Sequence, residues 1–167
     1  MSSDRPRSDD VRRRVTELVR AARTCVLTTF GLDGRLVGRP MLLQQAEFDG
    51  DLWFFAYADS TKVRQIRVNP EVNAAFPDHG NQAWVSLSGT AQEAYDPERA
   101  RRLWSPPLWI WFPDGPATSG LTLLRVRVSS AVHWDAPGGS RLDLLDPARG
   151  KVPERPPRPA RNREVRF

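Results

Sequence analysis

Residues 24–58 read Thr24-Cys-Val-Leu-Thr-Thr-Phe30-Gly-Leu-Asp-Gly34-Arg-Leu-Val-Gly-Arg-Pro-Met-Leu-Leu-Gln-Gln45-Ala-Glu-Phe-Asp-Gly50-Asp-Leu-Trp-Phe-Phe-Ala-Tyr-Ala58. Three β-rich runs lie in this stretch, separated by two turns. Thr24–Thr29 is the first. Asp33-Gly34 is the dipeptide of a tight hairpin, because glycine accepts the positive φ such a turn demands. Arg35–Gln45 reads as a long second strand, Phe48-Asp-Gly50 as the next turn, and Asp51–Ala58 as a third strand built around Trp53-Phe54-Phe55. Strands joined by turns this short pair antiparallel.

Working outward, the period changes from two to 3.6 upstream of Thr24. Val11, Val15, Leu18, Val19 and Ala22 form one apolar stripe, with Arg12, Arg13, Arg14 and Arg20 on the wet side of an amphipathic helix. Ser8 can cap it, with Asp9 and Asp10 at the positive end of its dipole. Residues 1–7 read as a disordered lead. Downstream, Asp59 or Ser60 can cap a short helix over Lys62–Val68 that stops near Asn69-Pro70. Val72–Phe76 and Trp84–Tyr95 are further strands. Pro97–Trp104 is a helix with proline in its first turn. Leu121–Val128 and Ala131–Trp134 are the last strands. No βαβ rhythm is present. The expected class is therefore mainly β (α+β): a six- to seven-stranded antiparallel barrel with flanking helices.

Composition sets the limits. With 167 residues, 40% hydrophobic and 27% charged, the chain has the balance of one soluble globular domain. No apolar run approaches the roughly 20 residues of a spanning helix, so no membrane is expected. The N-terminus lacks an apolar signal core, and the single cysteine, Cys25, leaves no internal disulfide. The expected compartment is the cytoplasm. The net charge is +5. Residues 148–167 alone hold seven cations and two anions, so the remainder sums to zero. A proline- and arginine-rich tail over 141–167, which from residue 148 on holds little to bury, is expected to be disordered. The domain itself is expected over 8–140. Weak, non-specific nucleic-acid contact is assigned to that tail.

Candidate chemistry begins with absences. His79 and His133 are the only histidines, and no HExxH, CxxC, GxSxG or phosphate-loop pattern occurs. No catalytic residue and no metal ligand is assigned. If the protein is an enzyme, a cofactor does the chemistry. Ser60-Thr61-Lys62 places two hydroxyls and a cation at a helix N-terminus. An ordinary cap with a solvated lysine fits, and so does a phosphate site. Arg39, in the apolar run Arg39-Pro40-Met41-Leu42, must find an anion or a surface. Pairing of the second and third strands carries it toward Ser60 and Lys62. Six tryptophans are many for this length. They can pack the core or an interface, or stack on a planar ligand.

These residues resemble the pyridoxamine 5′-phosphate oxidase-like FMN-binding split-barrel family, most closely its general stress protein 26 branch. Gly38-Arg-Pro-Met41, Leu52-Trp-Phe-Phe55, Asp59-Ser-Thr-Lys-Val63, Asn69-Pro70, Val85-Ser-Leu-Ser-Gly-Thr-Ala91, Leu103-Trp-Ser-Pro106, Trp111-Phe-Pro-Asp-Gly115 and Trp134-Asp135 occur in the family's order. The resemblance implies a six-stranded antiparallel split barrel that forms a homodimer with two FMN sites at the interface. Arg39 and Lys62, helped by Ser60 and Thr61, would hold the phosphate. Pro40, Met41 and Leu42 would lie along the isoalloxazine, with Phe55 and Ala56 lining it. Trp84 would sit on the strand that closes the site, and Trp111 and Trp134 would come from the other subunit. True oxidases have Thr where this chain has Ala56, and Arg where it has Thr61. The C-terminal segment that orients their substrate is replaced by the Arg-Pro tail. The expected function is flavin-mediated reduction of a small-molecule acceptor. The alternatives are a non-catalytic flavin-binding stress protein, or a reductase using a deazaflavin on the same fold.

Overall fold

The computed structural model describes residues 8–44, 48–80, 82–135 and 161–166. It begins with helix α1 (Ser8–Ala22), the hairpin β1 (Thr24–Phe30) and β2 (Leu36–Leu42), and β3 (Asp51–Tyr57). There follow α2 (Thr61–Val68), β4 (Glu71–Asp78), β5 (Ala83–Glu93) and α3 (Pro97–Leu103). Two 3-10 turns, Pro106–Ile110 and Gly115–Ala117, lead into β6 (Leu121–Asp135), and β7 (Arg161–Arg166) comes last. The apolar stripe of α1 is buried at Val11, Val15, Leu18 and Val19, while Arg12, Arg13 and Arg20 remain exposed. That stripe covers β4, β5 and β7.

The strands form one antiparallel sheet in the order β2-β1-β4-β5-β6-β3, with β7 on the free edge of β6. β2 and β3 are the two ends of that order. The Gln44 N–H, just past β2, donates to the Trp53 carbonyl of β3 at 3.2 Å. The sheet thus curls until its ends meet at one point and stay parted elsewhere, which makes a split barrel. Pro40 is tolerated in β2 because an end strand needs ladder bonds on one side only. The hairpin before it turns at Gly34, whose φ of 81° suits glycine.

β1 shows the barrel's alternation: Cys25, Leu27 and Thr29 face the core, Thr24 and Val26 face solvent. β3 behaves differently, because both its faces are covered. Leu52, Phe54 and Ala56 join the barrel interior, whereas Trp53 and Phe55 join a second apolar cluster with Ala100, Leu108, Phe112, Leu121 and Leu123. α3 and the 3-10 turn after it form the outer cover. This explains the unbroken aromatic run Trp53-Phe54-Phe55 as a strand buried on both sides.

Three sequence expectations change. The second and third strands, expected to pair through the Phe48–Gly50 turn, are instead the two ends of the sheet: β2 pairs with β1, β3 pairs with β6, and they meet only at Gln44 and Trp53. The last two barrel strands are one. β6 runs through Ser129, which is left as an extra residue when the pairing steps from Val128 opposite Gly89 to Ser130 opposite Ser88. The Ser129 hydroxyl donates to the Ser88 carbonyl at 3.1 Å. A bulge keeps the ladder going where the Ser129-Ser130 pair reads as a break. The third change is in the tail, expected to be disordered throughout 141–167. Residues 161–166 form β7, paired from Ser130–Arg166 to Asp135–Arg161. β3 covers β6 only as far as Arg127, so β7 satisfies backbone groups that would otherwise end in an open edge. Val165 is 6% exposed in the main core, and the Arg12 side chain donates to the Arg166 carbonyl at 3.0 Å. One buried valine and a waiting edge are enough, and tail-wide composition hides both. The expected disorder of 1–7, the remainder of the tail and the domain end at 140 lie outside the described residues.

Gly89 sits where the register shifts, and a Cβ built there would overlap the Arg127 carbonyl oxygen. Gly89→Ala is expected to cost about 1–3 kcal/mol, read as a lower urea midpoint. Val165→Asp, which places a charge in the main core, should lower the same midpoint by a similar or larger amount. An unchanged midpoint would mean β7 contributes nothing to the fold.

Candidate functional site

Arg39 is the first residue whose surroundings need explaining. Its Nη1 donates to the Leu27 carbonyl at 3.2 Å and to the Thr29 hydroxyl at 2.7 Å; its Nη2 donates to Gln65 Oε1 at 3.0 Å. Thr29 in turn donates to the same Gln65 oxygen at 2.7 Å. The guanidinium is therefore tied to β1 and α2 through neutral acceptors alone. No described carboxylate pairs with it. Burial lowers its pKa from the usual arginine value.

Lys62 stands three residues before Gln65 on α2, on the same side as the guanidinium. Burial lowers its pKa, and the positive charge of Arg39 lowers it further. It too has no carboxylate partner among the described residues. Two partly buried cations thus repel each other with nothing to neutralise them, an arrangement that an anion relieves. The start of α2 adds to this. Ser60 occupies the N-cap with extended backbone, yet its side chain makes no capping bond, and the first turn has no acidic residue. Its Oγ is buried without a hydrogen-bond partner. Free N–H groups, the positive dipole end and an orphan hydroxyl lie at the start of α2 beside Lys62, which feels the charge of Arg39, and a phosphate group fits that donor set.

A cleft of about 370 Å³ opens from these cations. Pro40, Met41 and Leu42 of β2 and Phe55 and Ala56 of β3 line it beside Arg39 and Lys62. Trp111, 54% exposed, forms part of its wall. So the structure brings together eight of the twelve residues expected at the site: Arg39, Pro40, Met41, Leu42, Phe55, Ala56, Lys62 and Trp111. Ser60 and Thr61 adjoin it at the start of α2. Trp111 lies in its own chain's cleft, where the resemblance implied the other subunit. Trp84 and Trp134 are elsewhere. They face each other across β5 and β6 and line a second, shallow apolar depression with Val26, Ala75, Phe76 and Pro77.

Sequence reasoning missed Thr24, Gln44, Tyr57, Leu108 and Phe112 as lining residues. Tyr57 follows Phe55 by two along β3, the period that sets both on one face. The others carried no local signal. Leu108 and Phe112 arrive on the segment after α3, which is held in place by two hydrogen bonds. The Tyr57 hydroxyl donates to the Trp111 carbonyl at 2.9 Å, and the Ser105 hydroxyl donates to Gln44 Oε1 at 2.9 Å. Gln44 Nε2 donates to the Leu42 carbonyl at 2.8 Å. Phe55, Trp104, Trp109 and Phe112 complete the support with edge-on and tilted ring contacts 5.4–6.3 Å between centroids.

Comparison with known proteins defines the class. The profile of the family described as "Pyridoxamine 5'-phosphate oxidase like" matches residues 10–157, and the chain belongs to that family. Among individual relatives, Protein bli-3 of Neurospora crassa is 27% identical over 141 residues, 79% of this chain and 68% of that protein. The crystal structure of the general stress FMN/FAD binding protein of Xanthomonas citri is 29% identical, with a TM-score of 0.67, over 76% of this chain and 89% of that one. General stress protein 26 of Bacillus anthracis, 20% identical over 74% of this chain and 92% of that one, shares the fold with a TM-score of 0.67.

Gln65→Leu removes the acceptor shared by Arg39 and Thr29. It should cost about 1–3 kcal/mol in thermal unfolding and weaken the binding of inorganic phosphate, measured by calorimetric titration. Unchanged phosphate binding would show that Gln65 does not place Arg39 for an anion.

Proposed function

We propose that this protein binds flavin mononucleotide in the cleft between β2 and β3 and uses it to pass electrons to a small-molecule acceptor. The observation that carries this reading is the uncompensated pair Arg39 and Lys62 at one end of an apolar cleft. A phosphate with an aromatic head matches that polarity. Arg39, Lys62 and the Ser60 hydroxyl would hold the phosphate. Met41, Leu42, Phe55 and Ala56 would border the ring system. The flavin supplies the redox chemistry; the chain binds it, orients it and screens it from water. The relative from Xanthomonas citri, whose name records FMN/FAD binding, supports the same reading. Ala56 and Thr61, where oxidases have Thr and Arg, point away from pyridoxamine phosphate as the substrate.

A homodimer belongs to this proposal. Val26 and Pro40 are cross-strand partners. Pro40 lines the cleft and Val26 lines the apolar depression that holds Trp84 and Trp134, so the two hollows adjoin. Val26 is 45% exposed, and Leu36 at the start of β2 is 68% exposed. A second copy seated on this face would bury those side chains and roof the cleft, bringing Trp84 or Trp134 to a neighbouring flavin.

A second reading, binding without turnover, has its own observation: the described lining holds no histidine, cysteine or carboxylate to move a proton. Reduction separates the two. FMN-loaded protein bleached by NADH or NADPH supports an oxidoreductase; a flavin that stays oxidised supports a binder.

Purified protein should be yellow, or should take up FMN on addition; a colourless protein that ignores FMN overturns the flavin reading. Lys62→Gln should weaken FMN binding about tenfold or more. The pH dependence has a definite sign. Lys62 is charged below its lowered pKa, so FMN affinity falls as pH rises toward the lysine range, and the fall begins earlier than an ordinary lysine would allow. Lys62→Gln should remove that slope, as read by fluorescence quenching of the bound flavin.

A further inference from the structure

The wall of the cleft formed by the segment after α3 is unlike its cationic part. Leu108, Trp111 and Phe112 bring apolar and aromatic surface to it. Its polar groups are largely spent within the protein. The Tyr57 hydroxyl is donated to the Trp111 carbonyl at 2.9 Å. The Gln44 amide accepts from Ser105 at 2.9 Å and donates to Leu42 at 2.8 Å. Arg39 and Lys62 are the only charged lining groups among the described residues, and in the proposed reading both are taken by the cofactor phosphate. The remaining polar side chain of the lining, Thr24, is an exposed hydroxyl. A charged ligand entering at this wall would lose water and gain no counter-charge. A flat apolar ligand would lose little and gain the face of an indole.

The wall is also built to keep its shape. Trp111 is 54% exposed as a residue, while its backbone is held through its own carbonyl. Phe112 behind it is buried against Tyr57, at 4.9 Å between ring centroids, and against Phe55 and Trp104. Gly115, with φ of 67°, lies under the Trp109 ring, where a side chain would displace that ring. A large side chain held half in water at the wall of a cleft, on a segment this firmly braced, is more than core packing needs.

We infer that Trp111 is the stacking surface for a second ligand, an uncharged planar aromatic molecule that lies beside the cofactor and not in its phosphate site. This rests on the reading of the cleft as a flavin site, and it narrows the acceptor to a neutral, flat compound such as a quinone or another conjugated ring. Anionic or phosphorylated aromatics are disfavoured at this wall.

The test uses full-length protein saturated with FMN and two probes of similar shape, 1,4-naphthoquinone and its 2-sulfonate, titrated by calorimetry under oxidising conditions. The neutral quinone should bind, and the sulfonate should bind more weakly. Trp111→Ala should weaken the neutral quinone about tenfold, a larger loss than it causes for FMN, with Trp111→Phe recovering most of the loss. Tighter binding of the sulfonate, or quinone affinity indifferent to Trp111→Ala, overturns the inference. So does a parallel loss of FMN in Trp111→Ala, which would make Trp111 part of the cofactor site. Wild-type protein that takes up no FMN overturns the flavin reading instead; quinone binding that still depends on Trp111 in that protein would leave the aromatic site standing.

Discussion

The guanidinium of Arg39 is the interaction around which the functional half of the molecule is arranged. It leaves β2, crosses to a β1 carbonyl and hydroxyl, and ends on Gln65 of α2. Those elements are separate in sequence, and the three hydrogen bonds hold them in one geometry. All the acceptors are neutral, so the positive charge is positioned without being cancelled. Such a charge costs free energy in the folded state unless an anion answers it. Lys62 raises that cost by sitting close enough to feel it. The empty valence of this corner, together with the orphan Ser60 hydroxyl, gives the cleft one strongly polar end.

The aromatic side of the cleft depends on β3. Because this strand is covered on both faces, its side chains connect the barrel interior to the aromatic segment that follows α3. That segment could not lie on a solvated strand. Its contacts with Phe55 and Tyr57 therefore define where the cleft stops and what kind of surface stops it. The barrel supplies a rigid floor. The braced 3-10 turns supply a wall. The asymmetry between a cationic end and an aromatic wall is the main chemical fact of the site.

Much of this was legible in the residues. The hairpin at Asp33-Gly34, the stripe of α1 and the doubly apolar β3 are local patterns, and each formed where it was expected. Arg39 and Lys62 stood out because a cation within an apolar run and a lysine behind Ser60-Thr61 are both locally unusual. The misses have a common cause. Ser129 looked like a break because a bulge is defined by the partner strand, here by Gly89. The tail looked unstructured because β7 exists only through an edge of β6 that β3 fails to cover. Gln44 read as a polar residue near the end of a long second strand, yet it lies past β2, joins the ends of the barrel and anchors Ser105.

By itself, the sequence determined the strand and helix periods, the antiparallel class and the identity of the two cations. These follow from which face of an element is apolar, and that is written at spacings of two and 3.6 residues. Only the tertiary structure decided that Trp111 shares a cleft with Arg39 while Trp84 and Trp134 line another hollow, and that Val165 joins the core. The physical reason is that a local pattern says a side chain must be covered but not by what. Hydrogen-bond ladders and packing choose the partner from distant parts of the chain.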